Sequence, residues 1–227
     1  MAKEDITIVL AHGAWADGSS WMRVIERLNA AGHRAMAVPL PLTTLADDVA
    51  ALGRVIARAG GPVVLVGHAY AGAVIGATQA GIVKALVYIN ALAPDAGETV
   101  ADVFNRTPRH PLAPPLVPDA DELIWLPEEA FAQAFAPQAS RRDQVVLAAV
   151  QRPISLSCIT ETVSRPLWRG RPSWYLVADE DRMISADNQR FMAERMGATI
   201  ATGSLDHAPM IAAPGAVTQV ILAAIQA

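Results

Sequence analysis

Short β-branched apolar runs alternate along this chain with segments of helical period, and that alternation leaves few folds open. Strand-length runs fall at residues 6–11, 34–38, 63–66, 83–89, 174–178 and, least regular, 199–201. Between them lie helical patterns. Trp21, Val24, Ile25 and Leu28 follow Ser19 or Ser20 as a helix cap and stop at Gly32. Val49, Leu52, Val55 and Ile56 share one face of a helix over 45–59, ended by Gly60-Gly61-Pro62. Small residues over 70–79, and the stretches 186–196 and 214–225, complete the set. Strand–helix alternation of this kind demands a parallel sheet joined by right-handed crossovers. The continuously apolar run at 63–66 is what a central strand buried on both faces requires. The expected class is α/β, with six mainly parallel strands in the order 2-1-3-4-5-6 and helices on both faces.

One stretch breaks the rhythm. From about 92 to 171 the chain is rich in proline, at Pro94, Pro108, Pro111, Pro114, Pro115, Pro118 and Pro127. It carries helical pieces at 128–135 and 141–151 but no pattern that reads as a strand. It is expected to be a helical cap inserted over the sheet, so the whole of 1–227 is read as one domain. Trp125, Phe131, Phe135 and Trp168 are expected to form the cap's core, and Cys158 to pack inside it.

Composition narrows the function. A net charge of -4 offers no basic footprint for nucleic acid. Cys158 is the only cysteine, so neither an intrachain disulfide nor a thiolate metal cage can form. Met1-Ala2-Lys3-Glu4-Asp5 leads directly into the first apolar run, which is too short to span a membrane and has no cleavage-site pattern after it. The expected partner is a small-molecule substrate in the cytoplasm, with no nucleic acid, no membrane, and a homodimer left open.

The chemistry-bearing residues all follow strands. After the third run comes Gly67-His68-Ala69-Tyr70-Ala71-Gly72. A sharp strand-to-helix turn flanked by small residues projects its central residue from the top of the sheet and aims the helix N-terminus at it. His12-Gly13-Ala14-Trp15 ends the first run. Asp179 and Asp181 follow the fifth, and Asp181 is the better acid because it lies further past the strand end. His207 follows the sixth, before the terminal helix. The order of elbow, acid and histidine is fixed by the chain.

With these motifs the sequence resembles the α/β-hydrolase superfamily, in its small bacterial esterase-like branch. His12-Gly13-Ala14-Trp15 with Trp21 is similar also to the plant methylesterase and hydroxynitrile lyase branch. The resemblance covers nearly the whole chain and implies a serine hydrolase with no metal and no organic cofactor. It implies a triad of residue 69, Asp181 and His207. It implies an oxyanion hole made by the amides of Ala14 and Tyr70, and substrate contacts from His12, Trp15 and His68. Two antiparallel strands that commonly lead this fold are expected to be missing, because the run at 6–11 already carries the oxyanion loop.

Residue 69 is alanine where the pattern has serine. Alanine has no nucleophilic atom, so acyl transfer through this position is excluded. Three readings follow. The chain is an inactivated serine hydrolase; or His207 and Asp181 act as a general-base dyad, for water activation or lyase chemistry; or the protein is a ligand-binding pseudoenzyme. The bland alternative for His12 and His68 is a framework role, and a metal site built from the histidines and Asp181 lacks the usual ligand spacing.

Overall fold

The computed structural model describes residues 5–226; the reading of Met1–Glu4 as a plain lead-in lies outside them. Eight strands are present: β1 (Thr7–Ala11), β2 (Ala35–Val38), β3 (Val63–His68), β4 (Val83–Ile89), β5 (Leu123–Ile124), β6 (Ile154–Ser155), β7 (Ser173–Ala178) and β8 (Thr199–Gly203). Six of them form one sheet in the order β2-β1-β3-β4-β7-β8, parallel throughout. β1 lies inside the sheet, its Ala11 beside Gly67 of β3. The two loops that build the elbow region therefore leave adjacent strands at the same edge. β1, β3 and β7 are buried along their full length, whereas β8, at the sheet's margin, is largely exposed. That exposure explains why its apolar pattern is the weakest. No antiparallel strand joins this sheet among the described residues.

The helices cover both faces. α1 (Met22–Ala30) connects β1 to β2 in one direction across the sheet, and α2 (Leu45–Ala59) returns the chain past β1 to β3 in the other. Right-handed crossovers running in opposite directions put them on opposite faces. α2 is closed at both ends: Thr44 Oγ1 accepts from the Asp47 amide at 2.9 Å, and Gly60 takes φ +73°. α1 begins differently from the sequence expectation. A 3-10 turn, Gly18–Trp21, precedes it, and Asp17 rather than Ser19 or Ser20 is the cap, accepting from the Ser19 amide at 2.8 Å. The helix after the elbow, α3 (Ala71–Ala77), is shorter than 70–79.

Between β4 and β7 the chain builds the cap from α4 (Val100–Phe104), α5 (Glu128–Ala130) running into a π-helical turn at Phe131–Phe135, α6 (Arg141–Val150) and α7 (Leu156–Thr160). The expectation of no strand here is corrected. β5 and β6 pair antiparallel, Leu123 with Ser155 and Ile124 with Ile154. Two-residue strands carry no alternation to read, so the pattern could not reveal them. Trp125 is also corrected: it is 47% exposed, while Phe131, Phe135, Trp168 and Cys158 are buried. α8 (Ala186–Arg195), α9 (Pro209–Ala212) and α10 (Pro214–Gln226) complete the chain, with α10 against β4 and β7.

Candidate active site

At the end of β3 the chain turns so sharply that Ala69 has φ +48°. This left-handed conformation is costly for a residue with a Cβ, on the order of 1–3 kcal/mol. Its neighbours hold it there. The Ala69 amide donates to Ile89 O, and its carbonyl accepts from Gly72 at 3.1 Å and Leu92 at 2.9 Å. The flanking glycines are a steric necessity. A Cβ on Gly67 would stand 2.7 Å from Ala71 O, and one on Gly72 would stand 2.4 Å from Leu92 O. A Cβ on Gly13 would meet His68 Nδ1 at 2.9 Å and Ala69 Cβ at 3.0 Å, so the first loop touches the elbow directly.

His207 and Asp181 come together from separate loops. His207 Nδ1–H donates to Asp181 Oδ2 at 2.8 Å, with both residues almost wholly buried. Asp181 is held by further donors. Its Oδ1 accepts from the amides of Met183 (2.7 Å) and Ile184 (2.9 Å), and its Oδ2 from Asn90 Nδ2 (2.9 Å) and Gln189 Nε2 (3.0 Å). A carboxylate so supplied is held in one orientation toward His207. Asp179 instead pairs with Arg190 at the surface. With Nδ1 engaged, Nε2 is the nitrogen left for the cavity that His207 helps to line.

That cavity, about 200 Å³, is walled by Ala14, Trp15, Ala69, Tyr70 and His207 on the sheet side. On the cap side it is mostly apolar, with Phe104, Leu116, Ile124, Ile154 and Ile159 among the contributors. The first loop is tied to the cap. Trp15, at φ +58°, donates its amide to Arg152 O at 3.0 Å and its indole N–H to Ile124 O at 2.9 Å. Among the described residues, no carbonyl is paired with the amides of Ala14 or Tyr70.

His12 and His68 do not reach the cavity, which corrects their expected role as substrate contacts. Both are buried in the framework. His12 Nδ1–H donates to Gly13 O at 2.9 Å, and its Nε2 accepts from the Leu40 amide at 3.3 Å. Burial lowers its pKa to about 4, so it stays neutral. His68 Nε2–H donates to His207 O at 2.7 Å. Burial first, and then the neighbouring His207, hold His68 well below the usual histidine range. Burial disfavours a charged ring at both, and each joins two loops through one nitrogen. His12 Nδ1 is also satisfied locally, whereas His68 Nδ1 has no hydrogen-bond partner among the described residues. Among the described residues no three His, Cys, Asp or Glu side chains converge as a metal site requires.

Three polar residues around the site were not singled out from sequence. Asn90, with φ +34°, donates to both Asp181 and His207 O at 2.9 Å. Gln189 bridges Asp181 to the Ala178 amide. Asp48, fully buried on α2, accepts from Tyr70 Oη at 2.6 Å, from the Leu42 amide at 2.8 Å and, at 3.7 Å, from Cys158 Sγ. Burial pushes the Asp48 carboxyl up and, with the neighbouring Asp48, the Cys158 thiol up to about 12. The one available signal was an isolated polar residue in apolar surroundings, as in Ile89-Asn90-Ala91.

This architecture is that of a known family. The family model described as "Alpha/beta hydrolase family" matches residues 8–220, and the chain belongs to that family. It is similar to salicylic acid-binding protein 2 of Nicotiana tabacum, at 27% identity over 93% of this chain and 94% of the relative. It is also similar to a carbendazim hydrolyzing esterase of Nocardioides, at 25% identity over 84% of this chain and 98% of that protein. Among solved structures, polyneuridine aldehyde esterase superposes with a TM-score of 0.82 at 21% identity, covering 96% and 98% of the two chains. The family is one of hydrolases with esterase-like members, and at that level the chain is an enzyme of the hydrolase superfamily.

Proposed function

We propose that this is a site for hydrolysis of small or medium esters, lactones or amides of the serine-hydrolase type, in which residue 69 is the nucleophile position and holds alanine. The single observation that carries the reading is the Asp181–His207 pair. The 2.8 Å bond engages Nδ1 and leaves Nε2 as the acceptor, in a cavity whose wall also includes Ala69. A serine there would be deprotonated by His207 as it attacked the carbonyl carbon. The oxyanion would form against the amides of Ala14 and Tyr70, and His207 would return the proton to the leaving group. Without that hydroxyl the chain binds an ester and forms no acyl-enzyme. The apolar lining favours an apolar acyl or alcohol part. Part of the same proposal is a cytoplasmic protein acting on small molecules, with no nucleic acid or membrane partner and with a homodimer open.

A second reading is favoured by Ala69 itself: a water molecule in place of the hydroxyl, activated directly by the His207–Asp181 dyad. Ala69→Ser separates the two. On the first reading, turnover of phenyl butyrate rises by about 10⁴-fold or more, and a fluorophosphonate labels the new serine. On the dyad reading, the serine crowds the water and lowers the chain's own activity, which His207→Ala abolishes. If neither substitution changes turnover while ligand affinity moves, the protein is a binding module. Absence of acylation in a correctly folded Ala69→Ser protein overturns the proposal.

A further inference from the structure

The cavity wall is apolar except at a few places, and only one of its residues is permanently charged. Arg109, from the proline-rich part of the cap, lines the same cavity as Ala69 and His207. Its side chain has few protein partners. Nη2 donates to Pro114 O at 2.5 Å, and the guanidinium carbon lies 5.7 Å from the Phe104 ring centroid, within cation–π range. Those contacts orient the fork and leave most of its five donors unused. Among the described residues no carboxylate stands at ion-pair distance from it. Arg23 pairs with Asp143, Arg169 with Asp95 and Arg195 with Glu98, whereas Arg34, Arg152, Arg171 and Arg182, like Arg109, donate to carbonyl oxygens; of all these only Arg109 lines the cavity.

Partial burial without an anion lowers the Arg109 pKa. The residue is solvent-exposed overall, but part of it lines an apolar wall, where a ligand carboxylate would meet somewhat weaker screening than at an open surface. The guanidinium fork also matches a carboxylate in two parallel hydrogen bonds. His207 Nε2 and the unpaired amides of Ala14 and Tyr70 lie at the Ala69 end of the cavity and serve the reacting carbonyl on the ester reading; the remaining side-chain donors are engaged. Tyr70 Oη is committed to Asp48, Asn105 Nδ2 to Ala101 O, and His207 Nδ1 to Asp181.

We propose that Arg109 forms an anion subsite in the cavity, and that the favoured substrate is an apolar ester bearing a carboxylate away from the scissile bond. The inference rests on the ester reading above for the word ester, and on Arg109 alone for the anion. Because Ala69 forms no acyl-enzyme, the chain as it stands is the reagent for the test.

Calorimetric titration would compare phenyl butyrate with 4-carboxyphenyl butyrate, on the wild-type chain and on Arg109→Gln, with near-UV circular dichroism checking the fold. We expect the carboxylate ester to bind the wild type about tenfold more tightly at low salt, with the preference shrinking at 0.5 M salt. Arg109→Gln should lose that preference and leave phenyl butyrate binding unchanged. Equal affinities in the wild type, a preference that survives in Arg109→Gln, loss of both esters in that variant, or no binding of either ester overturns the subsite. The two readings fail separately. If the Ala69→Ser protein cleaves both esters with the same KM, the hydrolase reading stands and the subsite falls. If it cleaves neither, while the Arg109-dependent preference in binding persists, the subsite stands and hydrolysis falls.

Discussion

The elbow and the cap are built on opposite plans. Around Ala69, backbone meets backbone: Gly67 and Gly72 each sit where an added Cβ would collide with a carbonyl oxygen or its neighbours. The residue types there are dictated by contact distances, with no slack to absorb a change. The cap has a packed apolar core around Phe131 and Phe135, but its segments are joined by side-chain anchors rather than by backbone in steric contact. Gln151 brackets Leu126 with both ends of its amide, at 3.1 and 3.0 Å, and Gln144 caps the carbonyls of Ala136 and Ala139. Outside these anchors it leaves Leu112, Val117 and Trp125 exposed. A region fixed by close packing specifies chemistry. One fixed by a few anchors can change its lining without losing its place, and so is suited to choosing the substrate.

The contrast can be broken by mutation. Gly72→Ala should have the largest effect, destabilising the protein by about 3 kcal/mol in urea unfolding, because the clash is with main chain that cannot rotate away. A cost below about 1 kcal/mol would show that the elbow has slack after all. Asp48→Ala should come next, at about 2 kcal/mol, since it leaves the buried Tyr70 hydroxyl and Leu42 amide without an acceptor. Asp48→Asn should recover part of that loss; equal destabilisation by both variants would mean that the charge, rather than the acceptor, is what matters.

Acid should weaken the same inner layer. The folded-state pKa of His12 is depressed to about 4 from 6.5, so the unfolded chain binds the proton more readily. Stability is then lost as the pH falls below 6.5, and the loss is complete below about 4; His12 alone contributes about 2 kcal/mol by pH 5. His68 acts in the same direction. Asp48 and Asp206, whose pKa values are raised, act oppositely in acid, because the fold binds their protons more tightly than the unfolded chain does. Urea midpoints at pH 7, 6 and 5 should fall on balance, and a midpoint that rises would show that the acids dominate. The smallest effect belongs to the cap surface: Trp125→Ser should change stability by no more than about 0.5 kcal/mol. A larger loss would mean that the contact between the exposed indole and the Asp119 carboxylate contributes to the fold.

The same contrast explains how much could be read from the residues alone. The strand order, the elbow at 67–72 and the loops carrying Asp181 and His207 were legible, because close packing and chain order leave a pattern in the residue types. Legibility failed where a residue acts through hydrogen bonds to another loop or element. Asn90 and Asp48 meet partners up to 117 positions away, and Gln189 reaches back 8 and 11 positions to Asp181 and Ala178; nothing beside them in the chain announces the partner. His12 and His68 misled for the related reason that a histidine near a motif looks the same whether it faces a ligand or ties two loops. In the cap, Leu123–Ile124 and Ile154–Ser155 pair over too few residues to alternate.

Trp15 gives the two regions a mechanical relation. Its amide and its indole are fastened to Arg152 O and Ile124 O, and its backbone is already bent into the left-handed region. The paired segments of the cap therefore cannot lift from the sheet without either breaking both bonds or dragging the neighbouring Ala14 with them. Breathing of the roof and distortion of the first loop become one event. On the proposed reading, in which the Ala14 amide is a donor to the substrate, a molecule large enough to need the roof raised would find that amide displaced until the roof settled, so that entry and alignment would be coupled.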